Sequence, residues 1–210
     1  KALPTLGNVK KTISRVAAVA EPGDTVVIFF SGHGITKDGK GYLVPLDGDR
    51  RNNIPFQWVR DELRRSKAAT KLLVLDACHS GAAKGVNGIR PATAQAGLLM
   101  LLSCRPEQVS WPDDEAGHSV FTASLVRGLT GEAAGDDRRV THTELYEYVR
   151  KSVKEWTFTN NKAIQEPVLS APDDGDVLLA SIPRGVRPAL PEPRRPGPRR
   201  PEPRLDDGDV

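Results

Sequence analysis

Thr25-Val26-Val27-Ile28-Phe29-Phe30-Ser31-Gly32-His33-Gly34 is the stretch that decides how this chain folds. Its first six residues are an unbroken β-branched and aromatic run, opened by the turn signal Glu21-Pro22-Gly23-Asp24, which is the pattern of a strand buried on both faces. A second such run, Lys71-Leu72-Leu73-Val74-Leu75, leads into Asp76-Ala77-Cys78-His79-Ser80-Gly81. Between the runs, Pro55 to Ser66 places Phe56, Val59 and Leu63 at helical spacing with arginines elsewhere. Strand, helix and strand in this order predict parallel pairing through a right-handed crossover. Ligand sites in open parallel sheets gather beyond the carboxyl ends of the strands, and both polar motifs fall there.

A histidine at one such strand end and a cysteine at the next can act as a proton partner and a nucleophile. Each has a plainer reading. Cysteine is among the most often buried residues, and a cysteine alone at a strand end usually packs a core. The matched ends and the Gly-His-Gly setting are what favour chemistry here. Cys104 closes the apolar run Leu98 to Leu102 and reads as inert core, while His118 and His142 read as surface residues. A zinc site from Cys78, His79, Cys104 and His33 lacks the paired close spacing of structural zinc ligands.

The His-Gly and Ala-Cys motifs at consecutive strand ends resemble the caspase-like cysteine peptidases, in particular the bacterial metacaspase and orthocaspase branch. Cys78 follows His33 by 45 residues, close to the spacing of about 50 in the caspase signature, although Asp76 stands where that signature has Gln. Gly41-Tyr42-Leu43-Val44-Pro45, Gly117-His118-Ser119-Val120-Phe121-Thr122, Gly128-Leu129-Thr130-Gly131 and Gln165-Glu166-Pro167 extend the likeness over about residues 5–180. The resemblance implies an α/β fold of the caspase/haemoglobinase kind, a three-layer αβα sandwich around a mostly parallel sheet. It implies Cys78 as nucleophile, His33 as proton donor to the leaving amine, and an oxyanion hole from the N–H groups of Gly34 and Cys78. Gly32 and Gly81 would keep the rims uncrowded.

Asp76 bears on the substrate. In the resembling families, caspases use Gln at this place when binding substrate aspartate, whereas metacaspases and paracaspases carry Asp and prefer basic residues. A carboxylate at a pocket floor attracts Arg or Lys and repels Asp or Glu, so cleavage after Arg or Lys is expected. The plainer alternative is an aspartate capping the turn after its strand. Lys84 and Arg90, in the Gly- and Ala-rich segment from Gly81 to Gly97, are candidate self-cleavage positions. No calcium requirement is expected. Many metacaspases bind calcium through an acidic insertion after the His motif, but Ile35 to Gly41 is short and holds only Asp38, and Asp47 and Asp49 make no EF-hand pattern.

The remaining helices are read from periodicity. Leu6, Val9, Ile13, Val16, Ala17 and Ala20 form one, Val120 to Gly131 another, and Thr141 to Lys154 a third that opens with a capping box of Thr141 and Glu144. Gly97 to Ser103, Val168-Leu169 and Val177 to Leu179 are further strand candidates.

Residues 1–182 read as one peptidase domain and residues 183–210 as a proline- and arginine-rich tail. The tail holds eight prolines, and seven arginines against five acids, so it supplies most of the +3 net charge. It reads as an extended linker, with recruitment of a proline-binding module as the lesser reading. The nearly neutral domain does not imply nucleic acid, no apolar stretch is long enough for a membrane span, and two cysteines without a disulfide framework favour a reducing, cytoplasmic setting.

Against the caspase-like pattern, a first strand, its helix and a second strand are missing ahead of Thr5. The expectation is an N-terminally truncated sheet in which Thr25 to Phe30 has an open hydrophobic edge, completed by a further segment or chain. The contrasting function is a catalytically silent caspase-like module that recruits partners through its proline-rich tail.

Overall fold

The structure, a computed structural model, describes residues 2–49, 51–77, the backbone of Cys78, and residues 97–105, 108–113, 117–172 and 175–184. In chain order the elements are α1 (Leu6–Val19), β1 (Thr25–Lys37), β2 (Lys40–Leu43), β3 (Ile54–Pro55), α2 (Phe56–Arg65), β4 (Thr70–Cys78) and β5 (Leu98–Leu102). There follow β6 (Pro112–Asp113), β7 (His118–Ser119), α3 (Val120–Arg127), β8 (Arg139–Thr141), α4 (His142–Asn161), β9 (Val168–Ser170) and β10 (Leu178–Ser181).

Six strands form the central sheet in the order β3-β2-β1-β4-β5-β9. β1, β4 and β5 run parallel, and β2 and β9 pair antiparallel on their flanks. The two-residue alternation of the strands divides the interior into two clusters. Leu73, Leu75, Leu98, Met100 and Leu102 meet Ile13 of α1 and Phe56, Val59 and Leu63 of α2 on one face. Leu72, Val74, Leu99 and Leu101 meet Val120, Phe121 and Leu125 of α3 and Leu145, Val149 and Val153 of α4 on the other. The arrangement is the three-layer α/β sandwich expected. Every residue of β5 is buried, as a strand covered on both faces must be.

β1 departs from that pattern. It runs on to Lys37, so the Ser31-Gly32-His33-Gly34 motif lies inside the strand and not after it. Nor is it buried on both faces: Val26 is buried and Ile28 and Phe30 pack on the first cluster, but Val27 and Phe29 are 53% and 47% exposed. The reason is lateral position, since α3 and α4 pack over β4 and β5. β2 joins β1 only from Gly34 to Lys37, through a tight turn at Asp38 and Gly39, both at positive φ. Among the described residues, no strand pairs with the free side of Thr25 to Phe30.

The helices follow their capping signals closely. Thr5 caps α1, whose first N–H groups are further served by Asp47, the Oδ1 of which accepts from Leu6 at 2.6 Å. α3 ends earlier than its periodicity predicts. It passes into a wide turn over Gly128–Glu132 that closes at Gly131, φ 125°. α4 runs seven residues beyond Lys154, to Asn161, because Thr157 continues its buried face at 0% exposure. The capping box at its start is present in both directions, Thr141 with the N–H of Glu144 and Glu144 with the N–H of Thr141. His142 is buried, not the surface residue expected: its Nδ1 accepts the N–H of Val177 at 3.0 Å, tying α4 to the segment before β10. No helix among the described residues is long and apolar enough to cross a membrane.

The Thr141 cap should be worth about 1 kcal/mol, the usual cost of replacing a Thr N-cap by Ala. Thr141→Ala is expected to lower the denaturant midpoint by that free energy divided by the slope, with the slope itself unchanged, and an unchanged midpoint would show that the box is ornamental.

Candidate active site

The β1–β4 ladder is parallel and unbroken over nine pairs, from Thr25 opposite Thr70 to His33 opposite Cys78. Its last three pairs hold the chemistry-bearing residues: Ser31 with Asp76, Gly32 with Ala77, His33 with Cys78. Neighbouring strands lie about 4.8 Å apart, so the backbones of His33 and Cys78 are brought side by side at the carboxyl end of the sheet. His33 is exposed and fixed from its other side as well, its carbonyl accepting the N–H of Val44 at 2.9 Å. Gly34 is buried one residue further, in register with Leu43. A Cβ on Gly32 would stand 3.1 Å from the tip of the Phe30 ring, which would have to move slightly to admit it.

Asp76 is 5% exposed and, among the described residues, has three hydroxyl donors. Ser110 Oγ donates to Oδ1 at 2.9 Å, and Ser119 Oγ and Thr122 Oγ1 donate to Oδ2, each at 2.5 Å. Ser119 is also the N-cap of α3, its Oγ accepting the N–H of Thr122 at 2.9 Å. The Asp76 side chain thus sits at the start of α3. A buried polar group left without hydrogen-bond partners is costly, and these three hydroxyls meet that need at Asp76. Its partners among the described residues lie 34 to 46 positions away, and the turn after β4 lies outside the described residues.

Behind Ser110 lies Gln165, fully buried, which bonds Ser103, Ser110 and Trp111. Glu166 beside it accepts from Arg150 and pairs with Arg105 at 2.9 Å and Lys154 at 3.7 Å, while its N–H donates to Gln108. Partial burial raises the Glu166 pKa, but the Arg150 hydrogen bond and the charges of Arg105 and Lys154 outweigh that, leaving it below the usual carboxylate value.

Ser110 and Gln165 carried no functional signal in the sequence beyond the Gln165-Glu166-Pro167 likeness. Ser119 and Thr122 were legible only as part of the Gly117 to Thr122 stretch. Cys104 is buried at 6%, with its sulfur 3.4 Å from the Gln108 carbonyl oxygen. Asp47 and Asp49 both serve main-chain N–H groups, and those of Arg51 and Asn52 hold the Asp49 carboxyl below its usual range. Among the described residues no group of three His, Cys, Asp or Glu side chains is placed to hold a metal ion. Lys84, Arg90, His79 and Gly81 lie outside the described residues, as does most of the tail.

A search among curated proteins finds no match to the chain. One family model, described as the caspase domain, matches residues 1–176.

Glu166 sets a pH dependence whose sign follows from its lowered pKa. Its stabilising contribution is complete above the ordinary carboxylate value and is lost as pH falls through the lower folded one. Wild type should therefore exceed Glu166→Gln in stability by most at neutral pH, with the gap narrowing as the solution is acidified. Denaturation midpoints at a series of pH values check this, and a gap that widens towards acid would contradict it.

Proposed function

This chain belongs to the caspase-domain family of cysteine peptidases, and we propose that it is an endopeptidase of the metacaspase and orthocaspase kind that cuts after Arg or Lys with a Cys78–His33 dyad. The observation that carries this reading is the parallel register that ends with His33 opposite Cys78. The Cys78 thiolate adds to the scissile carbonyl carbon, and the oxyanion is held by the N–H groups of Gly34 and Cys78. The His33 imidazolium gives its proton to the leaving amine as the C–N bond breaks. Water then adds to the thioester, one of its protons passing to His33, and collapse of the second tetrahedral species expels the Cys78 thiolate and releases the new carboxylic acid, which gives its remaining proton to solvent.

Asp76 supports the basic preference, being an acidic side chain in a buried, hydroxyl-lined position two residues before the nucleophile. A substrate Arg or Lys meets attraction there, and Asp or Glu meets a like charge in a site of low dielectric. Lys84 and Arg90 are the positions in this chain that such an activity would cut in itself. The reaction proposed needs no calcium, since it runs on the thiolate, the imidazole and main-chain N–H groups alone.

The free side of Thr25 to Phe30, with Val27 and Phe29 exposed beside it, suits a further strand and an apolar cover, from the same or another polypeptide.

Peptide amides that differ only in Arg, Lys or Asp before the bond test this in the longest native chain. Arg and Lys peptides should be cleaved, the Asp peptide should not, and Cys78→Ala should abolish turnover. Asp76→Ala should lower kcat/KM for the Arg peptide by about 30-fold or more, the equivalent of at least 2 kcal/mol for losing one partner of a buried charge pair. Undiminished cleavage of the Arg peptide by Asp76→Ala would refute the specificity assignment, and turnover by Cys78→Ala would refute the nucleophile.

A further inference from the structure

We propose that Gln165 is a positioning residue for the basic-residue pocket, acting through Ser110 on the Asp76 carboxylate; this rests on the reading of Asp76 as the substrate's anchor. Gln165 lies between α4 and β9 and is 0% exposed. Its Nε2 donates to the Ser103 carbonyl at 2.8 Å and to Ser110 Oγ at 3.4 Å, and its Oε1 accepts the N–H of Trp111 at 2.9 Å. Its own N–H donates to Thr157 Oγ1 at 3.3 Å, which anchors it to the last turns of α4. One buried amide therefore spans the segment after β5 at three points, two of them adjoining in sequence.

The consequence for Asp76 follows from hydrogen-bond counting. A serine hydroxyl has one proton to donate. With a Gln165 N–H directed at its oxygen, Ser110 accepts on that side, and its proton is directed to Asp76 Oδ1. Among the described residues Oδ2 receives two hydroxyl donors and Oδ1 receives one. Gln165 thus holds Ser110, and Ser110 in turn sets the direction in which the Asp76 carboxyl group faces an incoming guanidinium or ammonium group. The neighbouring Glu166, clasped by Arg105, Arg150 and Lys154, keeps this segment in place.

The test uses the full chain with Ser110→Ala, Gln165→Met and the double variant, reading KM and kcat separately on the Arg peptide and melting temperature alongside. Each single variant should raise KM about tenfold, the equivalent of 1.4 kcal/mol, with kcat held within about twofold. The double variant should be no worse in KM than Ser110→Ala, because both changes act through one hydroxyl. KM effects that add in the double variant overturn the proposal, as does a lowered melting temperature with unchanged KM. Should Gln165→Met fail to fold, Ser110→Ala decides alone, since it leaves the Gln165 bonds to Ser103 and Trp111 intact, and an unchanged KM in it is a refutation. Wild type that ignores Arg and Lys peptides removes the pocket reading and this proposal together; wild type that cleaves them while Ser110→Ala keeps its KM removes this proposal alone.

Discussion

Parallel strands share a direction, so whatever stands at the carboxyl end of one stands beside the carboxyl end of its neighbour, provided the register between them is fixed. In this chain nine consecutive pairs fix it, from Thr25 and Thr70 to His33 and Cys78. A slip of one residue would turn Leu73 and Leu75 from the α1–α2 cluster towards α3 and α4, and Leu72 and Val74 the other way. The hydrophobic pattern of β4 therefore holds the register, and the register sets the backbones of His33 and Cys78 side by side. Packing in the middle of the sheet and the placement of these two residues are one constraint.

The polar side of the candidate site is built on a second constraint, the need to satisfy a buried carboxyl group. Asp76 draws a hydroxyl from the segment after β5 and two from the start of α3, which ties β4 to both. Gln165 ties the first of these segments to the end of α4. The chain thus gathers four separate stretches around one carboxylate, each by hydrogen bonds that would be costly to leave unmade in so dry a place.

Elements whose signals are local could be read directly from the residues. The β4 and β5 cores, the α2 face and the Thr141 capping box all appear where their spacing puts them, because period and cap chemistry depend on near neighbours. The likeness in short motifs reached the family, and His33 stands opposite Cys78 in the ladder although β1 continues past it to Lys37. What the residues could not disclose was lateral position. The run Thr25 to Phe30 is as apolar as a doubly covered strand, yet Val27 and Phe29 are exposed, since coverage depends on where α3 and α4 pack. His142 looked like a surface histidine because its partner, the N–H of Val177, is 35 residues away. Ser110 and Gln165 were silent for the same reason: an isolated Ser or Gln has no period, and its role exists only once distant segments meet.

The central claim is that the β1–β4 register couples His33 to Cys78. Its most direct measurement is the pH dependence of Cys78 alkylation by iodoacetamide, followed by peptide mapping so that Cys104 is scored separately, in wild type and in His33→Ala. Coupling predicts that wild-type Cys78 reacts at pH values well below the ordinary thiol pKa of about 8.5, and that His33→Ala moves its reactivity up towards that value. Superimposable pH profiles in the two proteins would contradict it.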